Sequence, residues 1–431
     1  FAEQAELQTY TNHVIDKNGL REKTRTATNV ERVHWDESRQ QWVVSTNNGE
    51  FRAQFLINAS GPLSTPFTPD FSGRERFQGA AFHTNNWDWD YDYKGKRVAI
   101  IGSGASAAQV IPAMANDVAE MHVFQRTPHW VLPRPDRRFS RFQRYLLGVK
   151  PMYKLLRSLI YWSLEYRVIG FKYSKTMLKL VAQRKAENFI KKTIGDPALQ
   201  KALTPDYTIG CKRIILSSTL YPALDQPHVS VHTKDDGIAE INETGIRTTQ
   251  GKQLDVDLIV YATGYCATDG VISYPVEGRD GRSLADQWEA YPRAYLGTSL
   301  PGFPNLFIMT GPNTGIGHTS AIFIIEAQLN YVAKAIKQVL KGGHQTVEVT
   351  EEAEVEYTEM IHREMEKTVW KSGGCNSWYQ SKSGHVIAMF PGFSFTYRRM
   401  ANAFKRRHHR FSDAPAPKAA LVTPAAGGAE S

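Results

Sequence analysis

The spacing of apolar residues changes several times along the chain, and each change predicts an element. Ala2 to Gly19 places apolar residues at helical spacing. Thr24 to His34 and Gln41 to Thr46 read as strands joined by a polar turn. Phe55 to Ala59 is a short apolar run closed by Ser60-Gly61-Pro62, the pattern of a buried strand ending in a glycine turn. Lys96 to Ile101 and Met121 to Phe124 repeat that pattern, with a helix-compatible run from Ala105 to Ala115 between them. A loop broken by proline and arginine, Pro128 to Arg138, leads into a long helical stretch from Phe139 to Ile194. Val229 to His232, Ala239 to Ile241 and Gly245 to Thr248 predict a second meander. Asp257 to Tyr265 and Asn305 to Thr310 predict two further core strands. Ala321 to Leu340 predicts an amphipathic helix and Glu351 to Lys367 a charged one. Strands alternating with helices place the chain in the α/β class.

Composition narrows the class. At 431 residues the chain can form two or three cores. It has no uninterrupted apolar run of about 18 residues, so no spanning helix is predicted. The net charge of +9 is local: residues 131–193 hold 16 Lys and Arg against 3 Asp and Glu. That concentration argues against a general affinity for nucleic acid. It leaves two readings of the helical stretch. One is a cap over the site, with a basic face against a membrane. The other, preferred from sequence, packs the aromatic side on the core and leaves Lys and Arg solvated. Cys211, Cys266 and Cys375 lie far apart without a C-x-x-C, so neither a metal cluster nor a dithiol pair is expected, and a reducing cytoplasm is. The tail from Ser412 to Ser431 is rich in Ala, Pro and Gly and is expected to be disordered.

The candidate chemistry begins at Gly102-Ser103-Gly104-Ala105-Ser106-Ala107. A G-x-G-x-x-A turn between a strand and a helix lets backbone approach a pyrophosphate and seats it on the helix N-terminus. Gln109 follows within the first turns of that helix. An NAD site wants a carboxylate at the end of the next strand for the ribose 2′-hydroxyl. Arg126 and Thr127 stand there instead, and a guanidinium beside a hydroxyl suits the 2′-phosphate of NADP.

Just upstream, Phe77-x-Gly79-x-x-x-His83-x-x-x-Trp87-Asp88 completes a longer pattern. This stretch, followed by G-x-G-x-x-A, resembles the fingerprint of the Baeyer–Villiger monooxygenases, the class B flavoprotein monooxygenases. The related flavin-containing monooxygenases usually carry another aromatic where Trp87 stands. The resemblance implies FAD, NADPH and O2 as cofactors and co-substrate. It implies oxygen insertion beside a ketone carbonyl through a C4a-peroxyflavin, giving an ester or lactone, or else N- or S-oxygenation of another apolar substrate. It gives His83 a place at a domain junction rather than in bond-making. It implies that Gly210-Cys211-Lys212-Arg213 carries the catalytic arginine, Arg213, with Lys212 the alternative. A guanidinium there would stabilise the developing negative charge. It further implies that the turns at Gly61, at Thr263-Gly264 and at Gly311-Pro312-Asn313 border the flavin, and that Trp378 lies near the nicotinamide ribose.

The expected fold is thus a two-dinucleotide-binding flavoprotein. Residues 1–90 and 263–411 form two passes of an FAD domain, and 91–262 an inserted Rossmann-like NADP domain with a helical insertion at about 139–205. The family opens with its own G-x-G-x-x-G unit of roughly 30 residues, and no such unit precedes Gly61 here. The sequence expectation is therefore an N-terminally truncated chain that is colourless and inactive alone, with apolar edges exposed at Phe55 to Ala59 and Leu306 to Met309. An NADP-binding module without redox activity is a further reading. A disulfide reductase of related architecture is disfavoured by the missing C-x-x-C.

Overall fold

The computed structural model describes residues 2–136, 138–266 and 272–413. The expected tail of 412–431 thus lies almost wholly outside the described residues. At the centre stands a five-stranded parallel sheet in the order Val229–His232, Glu120–Phe124, Arg97–Ile101, Leu258–Tyr261, Ala80–His83. Its middle strands are apolar at consecutive positions because both faces are covered. Val98 and Ile100 face the helix Ala107–Met114, packing with Ile111 and Met114. Ala99 and Ile101 face a three-stranded antiparallel meander, Ile238–Ile241, Gly245–Thr248 and Gln253–Asp255. The strand Ala80–His83, grouped from sequence with residues 1–90, is hydrogen-bonded at the edge of this sheet.

A second unit holds the remaining sheets. Val276–Glu277, Val30–Asp36, Gln41–Thr46 and Gly49–Ala53 form a four-stranded sheet. The first expected strand therefore starts at Val30, and Arg21–Lys23 ahead of it is a 3-10 turn. Trp42 is fully buried and donates its indole N–H to the Pro304 carbonyl at 2.8 Å. Leu56–Asn58 pairs in parallel with Leu306–Ile308. Contrary to the expected open edge, Leu306, Phe307, Ile308 and Met309 are buried; Ile57 is the exposed residue of the pair. Thr346–Val349 and His409–Ser412 make a further antiparallel pair. Across this unit runs the helix Ala321–Gly342, burying Ile324, Ala327, Tyr331, Val332, Ala335 and Val339.

The insertion contains helices Arg141–Leu147, Lys150–Glu165, Lys175–Leu178, Arg184–Thr193 and Pro197–Leu203. Its second half is anchored in both units: Ile190, Ile194 and Leu203 enter the nucleotide core, and Phe171, Leu178 and Ala186 the other. Its first half corrects the preferred sequence reading. Arg141–Leu147 buries none of its residues, and Lys150–Glu165 buries only Glu165. The aromatic side of these two helices faces outward.

Candidate active site

The strand Arg97–Ile101 delivers the chain to Gly102 at φ 124°, where a Cβ would stand 2.2 Å from the Ala262 carbonyl oxygen. Only glycine fits so close to the end of the adjacent strand. Gly104 has nothing within 4 Å of a Cβ, so the space over the loop is open. Ser103 Oγ donates to the Thr127 carbonyl at 2.8 Å and lies 3.4 Å from His129 Nδ1, tying this loop to the exit of the next strand. Ala105 is exposed and Ser106 enters the helix without a side-chain cap. Gln109 turns back on its own helix, donating to the Ala105 carbonyl at 3.0 Å.

Beyond the strand exit, Arg126 is exposed and Thr127 half-buried. Lys212, from a segment about 85 residues downstream, stands beside them with its ammonium 5.2 Å over the Tyr207 ring. Burial lowers the Lys212 pKa most, the Arg126 charge lowers it further, and Asp206 only partly opposes them. Burial, then Lys212, pushes His129 down to about 4, so its ring is neutral near pH 7. Two cations within reach of each other's charge raise the positive potential around them. Neither Lys212's part in it nor His129 was visible to sequence reasoning, because local spacing carries no signal for a contact over that separation.

The fingerprint residues sit at a junction. A Cβ on Gly79 would collide with the Phe77 ring at 2.4 Å and the Asp257 carbonyl at 2.7 Å. Phe77 packs against the meander core. His83 is buried at the strand end; its Nδ1 accepts from the Asn85 N–H at 3.0 Å, and its ring meets Tyr265 edge-on at 5.8 Å. Burial lowers its pKa against the Gly264 backbone. Trp87 packs edge-on against Phe82 at 4.9 Å, and Asp88 accepts the Asp90 N–H in a turn.

The expected flavin turns divide into two kinds. Gly61 (φ 73°) and Gly264 (φ 89°) border open space. They are held on neighbouring segments: Thr263 Oγ1 donates to the Phe67 carbonyl, Phe67 N–H to the Gly264 carbonyl, and Cys266 N–H to the Thr65 carbonyl. Such open backbone turns fit a flat ring system better than a packed core would. Gly311 is different; a Cβ there would lie 2.4 Å from the Gly297 carbonyl. Asn313 is buried, and its amide donates to the Val386 and Met389 carbonyls, so it clamps the loop rather than facing open space. Further along this loop, His318 Nε2 stands 3.5 Å from the Glu165 carboxylate. Glu165 also accepts from Ser394 N–H and Oγ, at 2.6 and 2.8 Å. The loop and the root of the insertion are thus locked together.

Arg213 is exposed, and its charge reaches Tyr379, next to Trp378. Burial nevertheless holds the Tyr379 phenol up at about 12. Trp378 is partly exposed and packs on Tyr379 with centroids 4.7 Å apart. What joins these segments is a covalent bond. Cys211 and Cys375 form a disulfide across 164 residues. The absence of C-x-x-C, which argued only against a zinc cluster and a dithiol redox pair, says nothing about partners so far apart. Cys266 is free.

Comparison with known proteins agrees with this geometry. The sequence profile of the pyridine nucleotide-disulphide oxidoreductases matches residues 1–141, a span containing neither bridged cysteine. A Baeyer–Villiger monooxygenase of Pseudomonas aeruginosa is 41% identical over 96% of this chain and 79% of its own length. The chain belongs to the Baeyer–Villiger monooxygenases. An FAD-binding monooxygenase of Aspergillus niger is 34% identical over 92% of this chain and 67% of its own. A steroid monooxygenase solved in its oxidised form with NADP superposes with a TM-score of 0.83 at 31% identity, covering 96% of this chain and 85% of that one. Among the described residues no helix is long and apolar enough to cross a membrane.

Proposed function

We propose that this Baeyer–Villiger monooxygenase uses FAD, NADPH and O2 to insert an oxygen atom beside the carbonyl of an apolar ketone. The observation that carries the assignment of residues is the divergence of two neighbours. The Lys212 charge acts on Arg126, whereas the Arg213 charge acts on Tyr379, the neighbour of Trp378. The first would hold the 2′-phosphate of NADPH together with Arg126 and Thr127. The glycine turn at Gly102 to Ser106 would seat its pyrophosphate. The second direction leads to the nicotinamide end, where Trp378 would cover the ribose. Bound flavin supplies the activation of O2. Arg213 then serves as a fixed cation for negative charge developing on the reacting oxygens. Tyr379 stays a neutral phenol there because burial holds its pKa up.

Two variants of the flavin-loaded protein test this. Arg213→Ala retains FAD absorbance and loses ester formation from a cyclic ketone; oxygenation at the parent rate would sink the catalytic assignment. Arg126→Ala weakens NADPH by about 1.5–3 kcal/mol, the range for a hydrogen bond to a charged group, and leaves NADH nearly unchanged. Equal losses for both cofactors would defeat the 2′-phosphate site. Running a thioether beside the ketone separates ester formation from S-oxygenation by product.

A further inference from the structure

We infer that the first two helices of the insertion form a docking surface for an anionic lipid bilayer. Leu155, Leu159, Trp162 and Tyr166 fall at helical spacing on one stripe of Lys150–Glu165, and all are exposed. Phe142 and Tyr145 extend the stripe onto Arg141–Leu147, where they are 69% and 76% exposed. The face continues past the insertion: Trp162 meets the partly exposed Phe395 at 6.0 Å, and the next helix over begins with the exposed Ile322. A contiguous apolar face of this extent is unusual for a protein surface left in water.

The orientation is fixed from behind. Glu165 is the only acid of its helix, and it is buried against Ser394 and His318. Tyr161, one turn earlier, stacks on Phe323 at 5.6 Å. With that side committed inward, the stripe has only the outside to face.

Charge selects the occupant. Arg141 and Arg144 stand beside Phe142 and Tyr145 on the first helix; Lys150, Lys154 and Arg157 lie on the Tyr161 side of the second, away from the stripe. The surrounding segment 131–193 has an excess of 13 cations. A second copy docked symmetrically would bring this excess against itself. An anionic bilayer meets both halves of the pattern. Apolar and aromatic side chains would enter the headgroup–acyl boundary, while Arg141 and Arg144 reach lipid phosphates. This is attachment in the plane of the surface; neither helix is long and apolar enough to span it. The inference is independent of the oxygenation chemistry, so either can fail alone.

Flotation of the purified protein with phosphatidylcholine vesicles, with and without phosphatidylglycerol, tests it. The protein floats with vesicles containing phosphatidylglycerol, and binding weakens as salt rises. Leu159→Ser with Trp162→Ser lowers the vesicle-bound fraction by about tenfold at unchanged thermal midpoint. Arg141→Gln with Arg144→Gln lowers it on the anionic vesicles. Protein that stays in the aqueous fraction with both vesicle types overturns the proposal. So does a dimer in light scattering that Leu159→Ser with Trp162→Ser dissociates while vesicle binding is absent.

Discussion

Two helices of this protein have sequences of similar character and opposite fates. Ala321–Gly342 and Lys150–Glu165 both carry an apolar stripe with aromatic residues on it. The first lays its stripe into the main core, where Tyr331 donates to Ser299 Oγ and lies 2.6 Å from His409 Nε2. The second buries a single residue, and that residue is a glutamate. Amphipathicity therefore says that a helix has a face to cover, and nothing about what covers it. Tertiary burial decides that, and among the described residues Lys150–Glu165 buries only Glu165.

The largest effect expected from this contrast is at Tyr331. Tyr331→Ala removes a fully buried ring and should cost about 3–5 kcal/mol, read by denaturant unfolding. A cost under about 1 kcal/mol would mean that Ala321–Gly342 is not the packed partner of the pair.

Glu165 is the next test, because it is the anchor of the exposed helix. Glu165→Ala leaves the Ser394 N–H without its acceptor and should cost about 1–3 kcal/mol. The helix should also become more susceptible to limited proteolysis around residues 150–165. An unchanged cleavage pattern would show that the root is held by other contacts.

The same anchor gives a pH dependence. Burial pushes His318, His129 and His409 each down to about 4 from 6.5. Between those values the unfolded chain binds protons that the folded chain refuses, so stability rises with pH. It should be fully present above about pH 6.5 and decline as pH falls toward 4. His409→Gln should flatten part of that decline in thermal midpoints; an identical pH profile would remove His409 from the account.

Smallest of all is the stripe itself. Leu159→Ser should change stability by no more than about 0.5 kcal/mol in water. A loss as large as that at Tyr331 would erase the distinction between the two helices.

Much of the fold was legible because its signals are local. A strand, a glycine turn and a helix follow one another at Arg97 to Met114, and the residues that end the next strand are Arg126 and Thr127. The family fingerprint is likewise a single continuous stretch. What escaped reading depends on distant neighbours. Lys212 comes within reach of the Arg126 charge only in the fold, and Cys211 finds Cys375 only there. The family resemblance places Asn313 at the flavin border; its side-chain amide is held by the Val386 and Met389 carbonyls, a contact no local pattern shows. The strands Thr346–Val349 and His409–Ser412 are short and partly polar, so no periodicity announced them; pairing with each other makes them strands. The outward face of Lys150–Glu165 is the same lesson in reverse, a periodic signal that the described residues leave uncovered.

The bond between Cys211 and Cys375 also makes a closed covalent ring of everything between them. That ring includes the strand Leu258–Tyr261, the loop of His318 and the whole of Ala321–Gly342. A protease that cuts once inside it yields a nicked molecule that still migrates as one piece without reductant and as two after dithiol treatment. A single cut within the insertion upstream of Cys211 releases two fragments in either condition. Electrophoresis of a partial digest, with and without reductant, therefore tells whether each cut falls inside or outside that ring before any fragment is sequenced.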